Sequence, residues 1–144
     1  MSNHSAYRTF VDRLSKTKDS AREKSTKKRK SLGLRTAREN LDDLVDPGSF
    51  LEFGAFAVAA QRNRRDYEEL QLETSADGIL TGFCNINEDE VGEGNSHAAA
   101  IIYDYSVLAG SQGFFHHQKL DRICEKAEEF SLPVVIFTEG GGGR

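Results

Sequence analysis

The apolar run at 134–138, Val-Val-Ile-Phe-Thr, restricts the fold of this chain more than any other segment. A short, continuous run rich in β-branched residues is typical of a strand that is buried on both faces of a sheet. The segment before it, 114–130, carries apolar residues at helical spacing, and Leu132-Pro133 ends it. A strand that follows a helix in this way is expected to pair parallel with an earlier strand through a right-handed crossover.

Two earlier segments, 78–86 and 97–105, are predicted to be strands joined as a β-hairpin. The loop between them is acidic and contains glycine: Asn-Glu-Asp-Glu-Val-Gly-Glu-Gly-Asn-Ser. Both sets of alternating residues in 78–86 are partly apolar, so we expect the sheet to be covered on both faces. The order strand, strand, helix, strand therefore predicts an α/β layered domain.

The N-terminal part of the chain is predicted to be mainly helical. Residues 5–30 carry apolar positions at helical spacing only in their first half. A second helix is marked by Thr36, which forms a capping box with Glu39. Beyond that helix, residues 49–60 are expected to be extended, and residues 61–75 are expected to be a polar connection.

Charge is divided unevenly along the chain. Residues 1–40 contain twelve Lys/Arg and four Asp/Glu, whereas residues 41–144 contain seven and nineteen, so the net charge of −4 conceals a basic arm. Such an arm is a solvated helix, or it contacts nucleic acid, an acidic membrane surface, a phosphate-bearing ligand or an acidic neighbouring subunit. Nucleic acid is disfavoured because the basic run 25–31 lacks aromatic side chains that stack on bases.

Length and composition favour a single cytoplasmic domain. A chain of 144 residues with 38% hydrophobic residues can form one core. No window approaches about 18 consecutive apolar residues, and the polar start lacks the apolar stretch of a secretory signal, so we expect neither a membrane span nor export. Cys84 and Cys124 have no CxxC spacing and are predicted to be reduced thiols that face the core.

The glycine run at 140–143 has two interpretations. Without Cβ atoms its main chain can approach a ligand closely and turn N–H groups toward negative charge, as in oxyanion holes and phosphate cradles. Alternatively, the run is a frayed terminal segment. The sequence contains no GxxxxGK[ST] pattern, so nucleotide triphosphate chemistry is not indicated.

Four segments carry a resemblance to a known family: 41–54 (LDDLVDPGSFLEFG), 76–87 (ADGILTGFCNIN), 103–127 (YDYSVLAGSQGFFHHQKLDRICEKA) and 132–144 (LPVVIFTEGGGGR). In this order they resemble the N-terminal half of the carboxyltransferase component of biotin-dependent acyl-CoA carboxylases, the acetyl-CoA and propionyl-CoA carboxylase β-type family. The resemblance covers residues 34–144. We therefore expect 1–33 to be a basic, helical N-terminal arm and 34–144 to be a partial carboxyltransferase domain.

The resemblance implies a crotonase-like (ClpP/crotonase-type) fold, in which β-hairpin and helix units stack into a ββα spiral that is incomplete here. It also implies that carboxybiotin, delivered on a carrier, gives its carboxyl group to the α-carbon of acetyl-CoA or propionyl-CoA. In such chemistry backbone N–H groups stabilise the thioester enolate and the departing ureido oxygen, so an acid–base pair of side chains is not required.

Two alternatives to this function stay open. A biotin-dependent acyl-CoA decarboxylase subunit belongs to the same family and needs the same enolate-stabilising loop. A non-catalytic interaction module or nucleic-acid-binding module would instead use the basic arm, with affinity that falls steeply with salt.

The glycine run matches the central loop of the family. The family pattern Asp-Ser-Gly-Gly-Ala-Arg falls on residues 139–144. Gly141 and Gly142 then correspond to the pair whose backbone amides form the oxyanion hole. Gly140 replaces the family's serine, and Gly143 replaces its alanine.

The resemblance also implies a set of substrate-binding residues. The family segment Gly-Gly-Ser-x-Gly, next to the CoA-binding face, matches residues 109–113, with Ala109 where glycine is frequent. Arg144 resembles a family arginine, and Lys119 or Arg122 would offer charge near the CoA phosphates. The implied substrate-binding residues are Gly110, Ser111, Gly113, Gly140, Gly143, Arg144 and Lys119.

The remaining polar residues near these motifs receive structural roles. His116 and His117 are adjacent on a helix and project about 100° apart, so they cannot face one metal ion, and we expect one to be buried and the other exposed. Asp104 and Glu139 lie at strand ends, and we expect them to be hydrogen-bonded loop anchors. The resemblance requires no general base from them, because the biotin nitrogen can take the proton.

Family members run to several hundred residues, so this chain is expected to contain only part of the first half of one. We expect the 144-residue chain to be inactive alone and its last strand to have an exposed apolar edge. The resemblance implies acyl-CoA as substrate, the biotin carboxyl carrier and biotin carboxylase components as partners, and a homo-oligomer.

Overall fold

The computed structural model describes residues 3–144, which form one four-stranded sheet with helices on both faces. The helices are α1 (Asn3–Lys16), α2 (Glu23–Ser31), α3 (Ala37–Leu44), α4 (Tyr67–Glu73), α5 (Glu88–Val91) and α6 (Phe114–Glu129). The strands are β1 (Leu51–Phe53), β2 (Ile79–Asn85), β3 (His97–Tyr103) and β4 (Val134–Phe137). Single 3₁₀ turns lie at Asp19–Arg22, Ser75–Gly78 and Leu108–Gly110.

The sheet has the order β1-β2-β3-β4. β2 and β3 pair antiparallel over their whole lengths, from Ile79 opposite Tyr103 to Asn85 opposite His97. β4 pairs parallel with β3, and α6 forms the connection between them. The predicted hairpin and the parallel pairing through a helix are therefore both confirmed.

Both faces of the sheet are covered, as the alternation in 78–86 predicts. On one face α3 packs on the sheet, and the buried residues of that cluster are Ala37, Leu41, Ala76, Leu80, Cys84, Ala98, Ala100 and Ile102. On the other face α6 packs, and the buried cluster is Ile79, Ala99, Ile101, Tyr103, Ile123 and Ala127. The predicted Thr36–Glu39 capping box is present at the start of α3.

The basic arm forms two helices that are joined to the rest of the fold by arginine contacts. Arg13 donates to the Phe56 carbonyl oxygen at 2.9 Å and to the Tyr67 hydroxyl at 2.6 Å. Arg22 pairs with Asp104 at 2.7 Å. These arginines therefore serve internal contacts, while lysines such as those at 27 and 28 stay on the exposed side of α2.

Three details differ from the sequence-based expectations. Within 49–60 only Leu51–Phe53 forms a strand, and the polar connection 61–75 contains α4, which begins after the N-cap residue Asp66. Both cysteines are free and Cys84 is buried, but Cys124 is exposed because it lies on the outer side of α6.

β4 is an edge strand, and the expectation that it is buried on both faces is wrong for this chain. Val134, Ile136 and Phe137 are 44%, 47% and 41% exposed. Within residues 3–144, β4 has a strand neighbour only on the β3 side. The expected exposed apolar edge is therefore present.

None of the helices described in residues 3–144 has the combination of length and apolar character that a membrane crossing needs.

We predict that the edge at β4 makes the chain self-associate with rising concentration, because an uncovered apolar strand can pair with another copy. Val134→Lys is expected to shift the association to higher concentration, and sedimentation velocity over a wide concentration range measures it. Val91→Lys is the matched control, since Val91 is 47% exposed on α5, away from the edge. A monomeric wild-type chain at high concentration, or equal effects of both variants, would contradict the prediction.

Candidate active site

The glycine loop, residues 139–144, lies against the turn formed by residues 106–113. At the closest point the main chain of Gly110 faces the main chain of Glu139 and Gly140. A Cβ atom at Gly110 would come within 3.0 Å of the Glu139 carbonyl oxygen, and one at Gly140 would meet the Gly110 carbonyl oxygen equally closely. Gly110 also has a φ of +66°, which side chains rarely adopt. Both glycines are therefore required by close main-chain packing.

Main-chain hydrogen bonds join the two segments beyond this point. The Gln112 amide donates to the Gly142 carbonyl oxygen at 2.8 Å, and the Arg144 amide donates to the Gln112 carbonyl oxygen at 2.9 Å. Gln112 and Gly143 form an isolated parallel bridge. The loop is thus held as a short strand-like segment beside the turn, not as the frayed end that was the alternative.

The Arg144 side chain folds back over Gly113. A Cβ atom at Gly113 would lie 2.8 Å from an Arg144 guanidinium nitrogen, so a side chain there would push the guanidinium out of this position. The guanidinium donates to the Ser111 carbonyl oxygen and pairs with the Asp77 carboxylate. Arg144 therefore anchors the far end of the glycine loop.

Asp77 is the buried anchor beneath this end of the loop. It is 0% exposed, and its second carboxylate oxygen accepts a hydrogen bond from the His116 amide in the first turn of α6 at 2.8 Å. Ala76, Asp77 and Gly78 all have positive φ angles, 55°, 49° and 76°. Backbone strain at consecutive residues is maintained only where surrounding contacts fix the conformation. Here the contacts of Asp77 with Arg144 and α6 provide that restraint.

Glu139 anchors the near end of the loop. Its two carboxylate oxygens accept from the two terminal nitrogens of Arg29 on α2, at 3.0 and 2.8 Å. Asp104 is anchored similarly: it pairs with Arg22 and accepts from the Ser106 amide at 2.9 Å. The predicted role of Asp104 and Glu139 as loop anchors is confirmed.

The amides of Gly141 and Gly142 are among the unoccupied donors of this arrangement. Within the part of the chain that the structure describes, neither donates to a main-chain acceptor in the loop or turn. No heavy atom lies within 4 Å of where a Cβ would stand at either residue. A cleft of ≈ 230 Å³ opens beside Gly142 and Gly140, and Tyr103, Gly110, Gln112, Thr138 and Glu139 complete its lining. Among the described residues the amides of Gly140 and Gly143 also have no main-chain acceptor, so the loop offers free N–H groups beside the cleft, and those of Gly141 and Gly142 are the sterically open pair.

A second cleft, of ≈ 450 Å³, lies on the other side of Arg144. It is lined by Ala60, Gln61, Asn63, Arg64, Gly113, Phe114 and Arg144. Sequence reasoning missed the contribution of residues 60–64 because they read only as a polar connection. It also gave no role to Asp77, although the Asp77-Gly78 dipeptide before a strand signals a turn.

Lys119 lies away from the loop surface. Its ammonium group is buried and donates to the Ala76 carbonyl oxygen at 2.9 Å and to the Ile79 carbonyl oxygen at 2.5 Å. Burial lowers the pKa of Lys119 to about 8. In this conformation the ammonium group is bonded to main-chain carbonyl oxygens beside β2 and is not exposed to a ligand. Arg122, one turn further along α6, is the exposed cation of the two.

His116 is buried and His117 exposed, as expected. The His116 Nδ1 lies 3.2 Å from the Asp77 carbonyl oxygen, and its ring contacts that of Tyr103 edge-on. Burial lowers the pKa of His116 to about 4, and its Nε2 has no hydrogen-bond partner among the described residues. The neutral ring is therefore a packing element. Residues 3–144 contain no cluster of three His, Cys, Asp or Glu side chains suited to a metal ion.

Comparison with known proteins identifies the family. The model of the carboxyl transferase domain matches residues 28–144. The chain belongs to the carboxyl transferase domain family. The match begins within α2, so it includes the last six residues of the basic arm, 28–33.

Named relatives and solved structures of this family are carboxylases and transcarboxylases. The chain is 32% identical over 133 residues to the biotin-dependent long chain acyl-coenzyme A carboxylase beta4 subunit of Mycobacterium tuberculosis, covering 92% of this chain and 23% of the relative. A single-chain, multi-domain long-chain acyl-CoA carboxylase matches at 48% identity with a TM-score of 0.93, over 96% of this chain and 14% of that one. Transcarboxylase 12S with hydrolyzed methylmalonyl-coenzyme A bound matches at 28% identity with a TM-score of 0.72, over 93% and 25% of the two chains.

These matches confirm the family and the crotonase-like fold expected from the sequence. The chain spans a quarter or less of the length of each of these proteins. It therefore represents one portion of a carboxyltransferase domain.

We predict that Gly110→Ala destabilises the chain more than Gly33→Ala. Both glycines have positive φ, +66° and +72°, but only the new methyl group at position 110 would meet the opposing main chain. Gly33→Ala is expected to cost about 1 kcal/mol for the backbone conformation, and Gly110→Ala roughly 1–3 kcal/mol more for the overlap. Urea denaturation measures both, and equal losses would contradict the packing described above.

The buried His116 is expected to make the chain less stable in acid. Its pKa is lower in the folded chain than in the unfolded chain, so between about pH 6.5 and about pH 4 only the unfolded chain takes up the proton. The free energy of unfolding should fall through this window by roughly 1.4 kcal/mol per pH unit because of this residue. His116→Gln should reduce the slope of stability against pH, whereas His117→Gln should leave it unchanged. Equal slopes in wild type and His116→Gln would contradict the assignment.

Proposed function

We propose that this chain is the part of a biotin-dependent acyl-CoA carboxyltransferase that holds the thioester oxygen while the α-carbon becomes nucleophilic. The observation that carries the proposal is the pair of unengaged amides at Gly141 and Gly142, on a loop anchored at both ends. Fixed N–H donors directed at a developing oxyanion are the main means by which such sites lower a barrier. The two amides would stabilise the enolate more than the neutral thioester, and that difference is catalytic.

The reaction transfers a carboxyl group between two substrates. Carboxybiotin is a substrate that a separate carrier brings to the site. The C–H bond at the acyl α-carbon breaks, a C–C bond forms between that carbon and the carboxyl carbon, and the bond from the carboxyl carbon to the biotin nitrogen breaks. The proton ends on that nitrogen, so the balance requires no side-chain base.

The carboxylates around the loop support this view. Asp77 and Glu139 each accept from an arginine, and Asp104 accepts from both Arg22 and the Ser106 hydroxyl. Each of these carboxylates is thus engaged in contacts that anchor the loop or the turn. The chemistry therefore falls to the main chain.

The other residues expected to bind substrate divide into two groups. Gly110, Gly113 and Gly140 act by permitting close packing, and Ser111 and Arg144 fix the loop end. We infer that these five shape the site and that Gly141, Gly142 and Gly143 face the acyl-CoA. We assign no phosphate contact to Lys119, since its ammonium group is bonded within the fold.

The direction of reaction and the partners belong to this proposal as well. The same loop would serve acetyl-CoA, propionyl-CoA or a biotin-dependent decarboxylase. We place the carboxylating reaction first, in the cytoplasm, with a biotin carboxyl carrier, a biotin carboxylase component and further copies of the enzyme as partners. A nucleic-acid module is less favoured, because Arg13, Arg22 and Arg29 of the arm are used inside the fold.

A titration with acyl-CoA tests the proposal on this chain. In ¹⁵N-labelled protein the Gly141 and Gly142 amide resonances should move downfield when propionyl-CoA is added, because the thioester carbonyl accepts their hydrogen bonds. The thioether analogue S-propyl-CoA, which lacks that carbonyl, should shift other resonances when it binds but not these two amides.

Gly141→Ala provides a matched variant. No heavy atom lies within 4 Å of the added Cβ, and φ at this residue is outside the positive range, so the fold should persist and the N–H remains. In Gly141→Ala the change in amide resonance that depends on the thioester carbonyl should therefore persist, with a smaller amplitude than in the wild type. Equal responses to propionyl-CoA and the thioether, or no response to either, would sink the proposed function.

A further inference from the structure

We infer that Arg29, on the basic arm, is a positioning residue for the glycine loop, an inference that rests on the function proposed above. Arg29 lies 110 residues from Glu139 in sequence and forms a two-pronged pair with it. The arm would then do more than cover the domain: it would set the direction of the free amides that follow Glu139.

The Arg29 guanidinium is placed to transmit this constraint. Its Nε donates to the Arg35 carbonyl oxygen at 2.8 Å, and its plane lies over the Tyr105 ring, 5.6 Å from the centroid. The side chain is only 9% exposed. The guanidinium is therefore fixed by Arg35, just before α3, and by Tyr105, just after β3. A planar fork held in this way restrains both the position and the orientation of a carboxylate.

The loop needs such a restraint because it has few side chains of its own. Among residues 138–143, Glu139 is the one side chain that forms a hydrogen bond in the described structure. The preceding strand β4 is exposed on its outer edge and gives no support from that side. Arg144 with Asp77 fixes the far end. The four glycines thus lie between two arginine–carboxylate pairs, and the arginine of one pair belongs to the arm.

The most direct test measures the main-chain hydrogen bonds that the pair is proposed to hold. We expect Arg29→Ala to speed hydrogen exchange of the Gln112 and Arg144 amides by about tenfold or more, since hydrogen bonds to charged groups are of that strength. The amides of Ile101 and Ile102, in the middle of β3, should keep their protection. Glu139→Gln should produce the same pattern, and the double variant should add little to either single variant.

Two controls separate a specific fork from a general loosening of the arm. Arg29→Lys keeps the charge but cannot form the fork, so it should restore less than half of the lost protection. Arg13→Ala breaks another contact between arm and domain, to Phe56 and Tyr67, and should leave Gln112 and Arg144 unchanged. Unchanged exchange in both Arg29→Ala and Glu139→Gln, or an equal effect of Arg13→Ala, would overturn the inference.

A ligand measurement connects positioning to function. In Arg29→Ala the propionyl-CoA shifts that depend on the thioester carbonyl, at Gly141 and Gly142, should shrink, while shifts common to propionyl-CoA and S-propyl-CoA persist. A purely structural role would reduce both sets together. The exchange experiment uses no ligand, so a wild-type chain that fails to respond to acyl-CoA refutes the proposed function and leaves the Arg29 result to be judged separately.

Discussion

The site depends on the close approach of two main chains, the turn at 106–113 and the loop at 139–144. Hydrogen bonds from Gln112 to Gly142 and from Arg144 to Gln112 hold the two segments in register. At Gly110 and Gly140 the backbones come so close that no side chain fits between them. Each added carbon there would have to displace main chain, which is far stiffer than a flexible side chain. The glycines at these two positions are thus structural, which distinguishes them from Gly141 and Gly142, the proposed oxyanion donors.

A loop made of glycines has no side chains to hold it, so it must be fixed at its ends. Here an arginine–carboxylate ion pair fixes each end. Glu139 meets Arg29 before the glycines, and Arg144 meets Asp77 after them. Both pairs are partly withdrawn from water, so they are less screened than exposed ion pairs, and the Arg29–Glu139 pair gains further from its planar two-atom geometry. The division of charge along the sequence follows from this arrangement, because the basic arm supplies the partners for acidic groups of the domain. Three basic residues of the arm, Arg22, Arg29 and Lys30, pair in this way with Asp104, Glu139 and Glu39.

The sequence predicts the sheet well because its signals are local or periodic. The alternation in 78–86, the apolar spacing of 114–130 and the capping box at Thr36 each follow from backbone geometry that neighbouring residues determine. The role of Arg29 could not be predicted in this way, since its partner lies 110 residues away and any of twelve basic residues in the first forty could have filled it. For Lys119 the resemblance implies a ligand contact. In the structure its long side chain lies on the inner face of α6, and the ammonium group donates to carbonyl oxygens within the fold. The prediction that β4 is buried on both faces is wrong because an apolar run shows only that a strand is suited to burial. Among residues 3–144 no further strand pairs with the outer edge of β4.

The same exposure limits what the glycine amides can contribute in this chain. Residues 140–144 are all exposed, and the cleft beside Gly142 opens to solvent. In water an amide that leaves a solvent molecule for a substrate oxygen gains only about 0.5–1.5 kcal/mol, because the exchange is nearly even. The same amide in a site that excludes water is worth several times more, since the field of a fixed dipole is weakly screened there. The chain thus holds the donors in position, and the free energy they can contribute depends on a surface that covers both the loop and the edge of β4.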